Sequence, residues 1–108
     1  MKRLYDFQKF DLGFFDNLEL VVVSEKDKAD RKTVTLIILE DRNLYTTGET
    51  GLNAFEKIYL NLINDNFKDY TFKQGDSFSI DMLEDDPKVS IWGENFSRNL
   101  SVTGKIKN

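Results

Sequence analysis

The sequence contains no histidine and no cysteine, and a single proline among its 108 residues. Without those two side chains there is no Cys or His nucleophile, no Ser-His-Asp triad, no thiolate or imidazole zinc site and no disulfide framework. Long apolar runs are missing too, since none approaches the roughly 18 residues that a membrane-spanning helix needs. The opening Met1-Lys2-Arg3-Leu4-Tyr5 has a basic pair but lacks the apolar stretch of about 7–15 residues that follows it in a signal peptide. We therefore expect a cytoplasmic protein that does not associate with membranes. The sequons at Asn95-Phe96-Ser97 and Asn99-Leu100-Ser101 bear only on a secreted chain.

What is present suits one packed core. Hydrophobic residues make up 40% of the chain, including 9 Phe, 4 Tyr and 1 Trp, and the length is that of a single domain over residues 1–108. Few Gly and Pro argue against a disordered chain. The net charge is −4 but unevenly spread: residues 1–10 and 91–108 are net basic, whereas 11–30 and 71–90 are net acidic. Overall acidity disfavours tight binding to duplex nucleic acid, yet leaves room for a local basic groove.

Periodicity gives an element order. Residues 18–23, a β-branched run, and 33–39, apolar on the Val34/Leu36/Ile38 face and also at Ile37 and Leu39, predict paired strands with the second central in its sheet. The mixed-charge segment between them predicts a hairpin with a mobile tip over 24–32. A short third strand is expected at 43–47. Leu52, Phe55, Ile58, Tyr59, Leu62 and Ile63 recur at three and four residues, which predicts a helix over 52–64 with Thr50 as its N-cap and Lys57 on its polar side. Residues 77–82 alternate so as to bury Phe78, Ile80 and Met82; 88–92 alternate with Val89 and Ile91 on one face and Lys88, Ser90 and Trp92 on the other. A last strand over 99–107 puts Leu100, Val102 and Ile106 inside, with a bend at Gly104.

A mostly β chain with one helix at that place predicts an OB-like five-stranded antiparallel barrel, whose ligand face is flanked by the loops 24–32 and 84–87. The alternative is an α+β sheet with one packed helix. Phe10, Phe14 and Phe15 would fill the barrel bottom or a homodimer interface.

Catalytic signatures are weak. Asp81, Glu84, Asp85 and Asp86 offer hard oxygens but not the ligand spacing of a calcium loop, so a solvated turn without metal is the simpler reading. With 19 acidic residues, carboxylate pairs arise by chance and none is marked as an acid–base pair. Gly48-Glu49-Thr50-Gly51 lacks a P-loop lysine and reads as a tight turn. We expect no enzyme and no cofactor.

The aromatics are more informative. Single-stranded nucleic acid is held by bases stacked on aromatic faces beside Lys and Arg. Trp92 shares its face with Lys88 and Ser90, and the last strand adds Ser101, Thr103, Lys105 and Lys107. Arg98 and Tyr45 complete the candidate set of Trp92, Lys88, Ser90, Arg98, Lys105, Lys107 and Tyr45. A second basic–aromatic mixture, Lys2, Arg3, Tyr5, Phe7 and Lys9, lies at the N-terminus. The competing reading is a Trp that caps the core with its indole N–H bonded to a polar neighbour.

In size and strand–helix–strand order the chain resembles the small single-stranded-DNA-binding OB proteins of phages and conjugative elements. Its Asn-, Lys-, Ile- and Phe-rich usage resembles that of AT-rich Gram-positive genomes and their mobile elements. The resemblance is architectural: no motif is shared, and the sequence closes on Gly104-Lys105-Ile106-Lys107-Asn108 in place of an acidic tail. It implies a cytoplasmic, non-enzymatic module whose partner is single-stranded nucleic acid. The alternative is an acidic interaction or inhibitor protein of a mobile element that meets a basic host protein through Glu25, Asp27, Asp30 and the Glu84, Asp85, Asp86 turn.

Overall fold

A computed structural model describes residues 13–44, 48, 51–92 and 99–107. These form a short helix α1 (Gly13–Asp16) and the strands β1 (Leu18–Asp27), β2 (Lys32–Asp41), β3 (Lys57–Leu62), β4 (Ser77–Phe78), β5 (Lys88–Trp92) and β6 (Asn99–Gly104). They make one six-stranded sheet in the order β4-β1-β2-β3-β6-β5. All pairs are antiparallel except β3 with β6.

Alternation decides which face is covered. Leu20, Val22, Val34, Leu36, Ile38, Ile58, Leu60, Leu62, Leu100 and Val102 are buried along one side of the sheet. Phe14 and Phe15 of α1, together with Phe78, Ile80 and Leu83, close over that side, and Val89, Ile91, Leu52, Phe72 and Ile106 pack around its margin. Each fully buried side chain of this size contributes about 1.5–3 kcal/mol. The centrality of the 33–39 segment is borne out: β2 lies between β1 and β3, and Ile38 has no exposed surface.

Two expectations are corrected. The sheet is not closed into a barrel, because its ends, β4 and β5, are not paired with each other. The helix expected over 52–64 is absent: 52–55 is a turn and Lys57–Leu62 is a strand. Ile58 and Leu62 satisfy a helical repeat and a strand repeat alike, and Leu60 decides for the strand, because Ile58, Leu60 and Leu62 then match Leu36, Val34 and Lys32 across the ladder. Positive φ at Gly51 and Phe55 also breaks any helix there. With the helix at that place goes the strand–helix–strand order behind the resemblance to OB proteins; what stands is a mostly β chain with one open six-stranded sheet and one short helix, α1, whose Phe14 and Phe15 pack on the core.

Smaller departures follow the same logic. The strand expected at 77–82 stops at Phe78, and a 3-10 turn, Ile80–Met82, held by the Asp81 N–H donating to Ser79 Oγ, leaves Met82 exposed instead of buried. β6 ends at Gly104, where a Cβ would lie 3.3 Å from Pro87 Cβ, and Ile106 bridges to Leu83. Asn43 and Leu44 are not in a strand, and the rest of the expected third strand lies outside the described residues. No described helix is long and apolar enough to cross a membrane.

Two polar clusters, each built on a buried charged residue, fix the ends of β2. Lys32 is only 3% exposed, with Nζ 2.8 Å from Asp27 Oδ1 and 3.4 Å from Glu25 Oε2. Glu25 Oε2 also accepts the Phe72 N–H at 2.8 Å. A register shift between Val22 and Ser24 makes this possible, because it brings Glu25 opposite Val34 and Asp27 opposite Lys32. The hairpin tip therefore shrinks to 28–31, and Glu25 and Asp27 are structural residues. At the far end Asp41 Oδ1 accepts from Asn43 N–H and Nδ2, at 3.0 and 2.9 Å, while Oδ2 accepts the Asn53 N–H at 3.1 Å. Asn43 Nδ2 also donates to Phe14 O at 3.0 Å.

Two outcomes follow. Burial alone would lower the Lys32 pKa, but hydrogen bonds and charge from Asp27 and Glu25 outweigh it and hold the ammonium above its ordinary 10.5. A raised folded-state pKa means that this stabilisation is complete below pH 10.5 and is lost as pH rises through the folded value. Thermal melts of the parent should fall more steeply above pH 10.5 than those of Lys32→Met, which should be about 1–2 kcal/mol less stable at neutral pH because its two carboxylates keep some solvent. Asp41→Asn turns an NH2 group against N–H donors and should cost about 2 kcal/mol in denaturant unfolding; an unchanged midpoint would refute the clamp.

Candidate nucleic-acid interface

No described element packs on the face of the sheet opposite the core over β3, β6 and β5. Its outward positions are Lys57, Tyr59 and Asn61 of β3, Asn99, Ser101 and Thr103 of β6, and Lys88, Ser90 and Trp92 of β5, all exposed or half-exposed. The ladder sets them in rows: Thr35, Tyr59, Ser101 and Ser90 form one, and Thr33, Asn61, Thr103 and Lys88 another. Thr33 Oγ1 donates to Asn61 Oδ1 at 3.0 Å, and Asn61 Nδ2 donates to Thr103 Oγ1 at 3.4 Å. Trp92 pairs with Asn99 at the opposite end.

Trp92 is 47% exposed and therefore does not cap the core. Its ring meets that of Tyr59, with centroids 6.3 Å apart and planes tilted by 33°. Tyr59 and Trp92 stand on strands separated by β6, some 10 Å apart at the backbone. The rings approach because the intervening Asn99 and Ser101 are short.

Lys88, Ser90 and Trp92 share the exposed side of β5 as their alternation predicts. Lys88 lies about 13 Å from Trp92 along the strand. Lys105 is exposed just past β6 and lines, with Lys88, Thr103 and Ile63, a depression of about 380 Å³ whose other wall is Glu84, Asp85, Asp86 and Pro87. Lys107 goes elsewhere: its backbone N–H donates to Met82 O, and it lines a separate cleft of about 180 Å³ with Asp16, Asp81, Glu84 and Asp85. Four carboxylates beside it make that cleft a poor phosphate site. Tyr45, Arg98 and the N-terminal group from Lys2 to Phe10 lie outside the described residues.

Sequence reasoning missed Tyr59 and Lys57 by assigning them to a helix. Their signal was the period-two run 57–62, visible once Leu60 is weighted. No group of three or more His, Cys, Asp or Glu placed to hold a metal occurs among the described residues. The acidic surface of the competing reading is partly consumed, for Glu25 and Asp27 hold Lys32, and Arg31 bonds Asp30 at 3.2 Å and holds its carboxyl below the usual range. No protein-family model matches the chain, and no curated protein and no solved structure matches it significantly.

Proposed function

We propose that the protein is a non-enzymatic module that binds single-stranded nucleic acid on the open face of β3, β6 and β5. The observation that carries this reading is the composition of that face in an acidic chain. Its charged residues are Lys57, Lys88 and, just beyond β6, Lys105; it has no carboxylate at a described outward position, and it presents Tyr59 and Trp92 in ring contact. Bases stack on the two rings, the lysines meet phosphates, and the hydroxyl and amide groups of Ser90, Ser101, Thr103 and Asn61 take up polar edges. Stacking tolerates any base, so the preference among sequences is weak. The Glu84, Asp85, Asp86 turn bounds the site at the Lys88 end by repelling phosphate.

The test separates stacking from charge. Trp92 is the sole tryptophan, so its fluorescence should be quenched when the parent is titrated with an oligothymidylate at low salt. Binding of labelled oligonucleotide followed by anisotropy should weaken by about 1–3 kcal/mol in Trp92→Ala with the salt slope unchanged. Lys57→Gln and Lys88→Gln should each flatten that slope by about 0.7. A parent that binds no oligonucleotide at low salt, or a folded Trp92→Ala protein of full affinity, refutes the proposal and favours the acidic protein-interaction reading.

A further inference from the structure

We propose that Phe55 is a second stacking platform of this site, so that the bound strand crosses the sheet from β5 towards β2; this rests on the nucleic-acid reading above. Phe55 combines two features that packing does not explain. Its φ is +67°, a left-handed conformation that glycine adopts freely and a bulky aromatic adopts only under constraint. Its side chain is 71% exposed, so no burial compensates for the strain. The chain uses glycine for the same purpose close by, at Gly48 with φ +83° and Gly51 with φ +72°.

The constraint itself is visible. The preceding Asn53 is fully buried and its N–H donates to Asp41 Oδ2. The Phe55 N–H then donates to Ile38 O at 2.6 Å, and Glu56 O accepts the Ile38 N–H at 2.9 Å. Buried groups thus hold a strained turn that displays an aromatic ring. Strain kept in place by its surroundings, without a packing return, marks a functional position.

Its location joins it to the open face. The bonds to Ile38 set the Phe55 backbone beside β2. Phe55 stands two residues before Lys57, the first residue of β3, whose outward side continues to Tyr59. With Trp92 beyond β6, the aromatics extend across β5, β6 and β3 to the margin of β2. A strand following this line stacks at both ends and passes Lys57 in the middle, away from the acidic turn.

Phe55→Gly provides the test, because strain and binding make opposite demands. Relief of the left-handed phenylalanine should raise the melting temperature by a few degrees, on the order of 2–6 °C. The same change should weaken binding of a long oligothymidylate about tenfold, with no effect on oligomers too short to reach from Trp92 to Phe55. Phe55→Tyr should retain parental affinity. A Phe55→Gly protein that binds long oligomers as tightly as the parent, while oligomer still quenches Trp92, overturns this inference alone. A lowered melting temperature also overturns it, since the ring would then be structural. If the parent binds no oligonucleotide, both readings fall.

Discussion

Every strand takes its phase from β2, which is hydrogen-bonded on both flanks and has its Val34, Leu36 and Ile38 side wholly buried. In a sheet covered on one side, a slip of one residue would carry an entire apolar set into solvent, so register is strongly specified. β3 obeys by placing Ile58, Leu60 and Leu62 on the core side, and β6 by adding Leu100 and Val102 in parallel register with β3. β1 keeps phase only by irregularities after Glu19 and Val22. The second of these turns a would-be surface pair of acids towards the buried Lys32, converting a charged hairpin into an ion cluster around one buried ammonium. The core alternation and the charge cluster are thus consequences of one ladder.

The same ladder creates the open face. Lys57 and Tyr59 point outwards because Ile58 and Leu60 must point inwards, and Trp92 is outward because Val89 and Ile91 pack at the core margin. β6 separates β3 from β5 and has only short side chains on its outer side, which lets Tyr59 and Trp92 close to ring contact. Charge segregates along with polarity. Many of the acids lie on turns, at Asp30, Glu84, Asp85 and Asp86, or are drawn into buried bonds, as Glu25 and Asp41 are. The net charge of −4 is therefore a poor guide to this face. Local field, rather than total charge, governs whether a polyanion can approach.

Legibility in the sequence tracked how local each feature is. The strand at 33–39 and the alternation at 88–92 depend on neighbours two residues apart, and both were readable, including the exposure of Trp92 with Lys88 and Ser90. The segment 52–64 was not, because Ile58 and Leu62 fit both periods and only the partner strand arbitrates between them. That single ambiguity hid Tyr59 and Lys57, and it replaced an open sheet with a barrel. Met82 was misplaced for a different reason: Ser79 captures a backbone N–H and turns the chain, a local competition that hydrophobic alternation does not register. The Asp41 clamp joins Asn43 and Asn53 across a loop, and nothing in three short polar residues announces such a closure.

That clamp explains why strain and open face occur together. A turn free to relax would rotate Phe55 out of the left-handed region, and the exposed ring would lose a fixed position. Asp41 prevents this because its carboxylate is 4% exposed and takes N–H groups from both Asn43 and Asn53. Unfastening the turn would leave a buried acceptor unsatisfied, at a cost of about 1–3 kcal/mol. A phenylalanine in the left-handed region is strained by a similar amount, about 1–3 kcal/mol. The Asp41 bonds alone would only match that strain; the two backbone bonds between Ile38 and Phe55–Glu56 add to them and tip the balance towards the strained turn, at the end of the β2–β3 ladder.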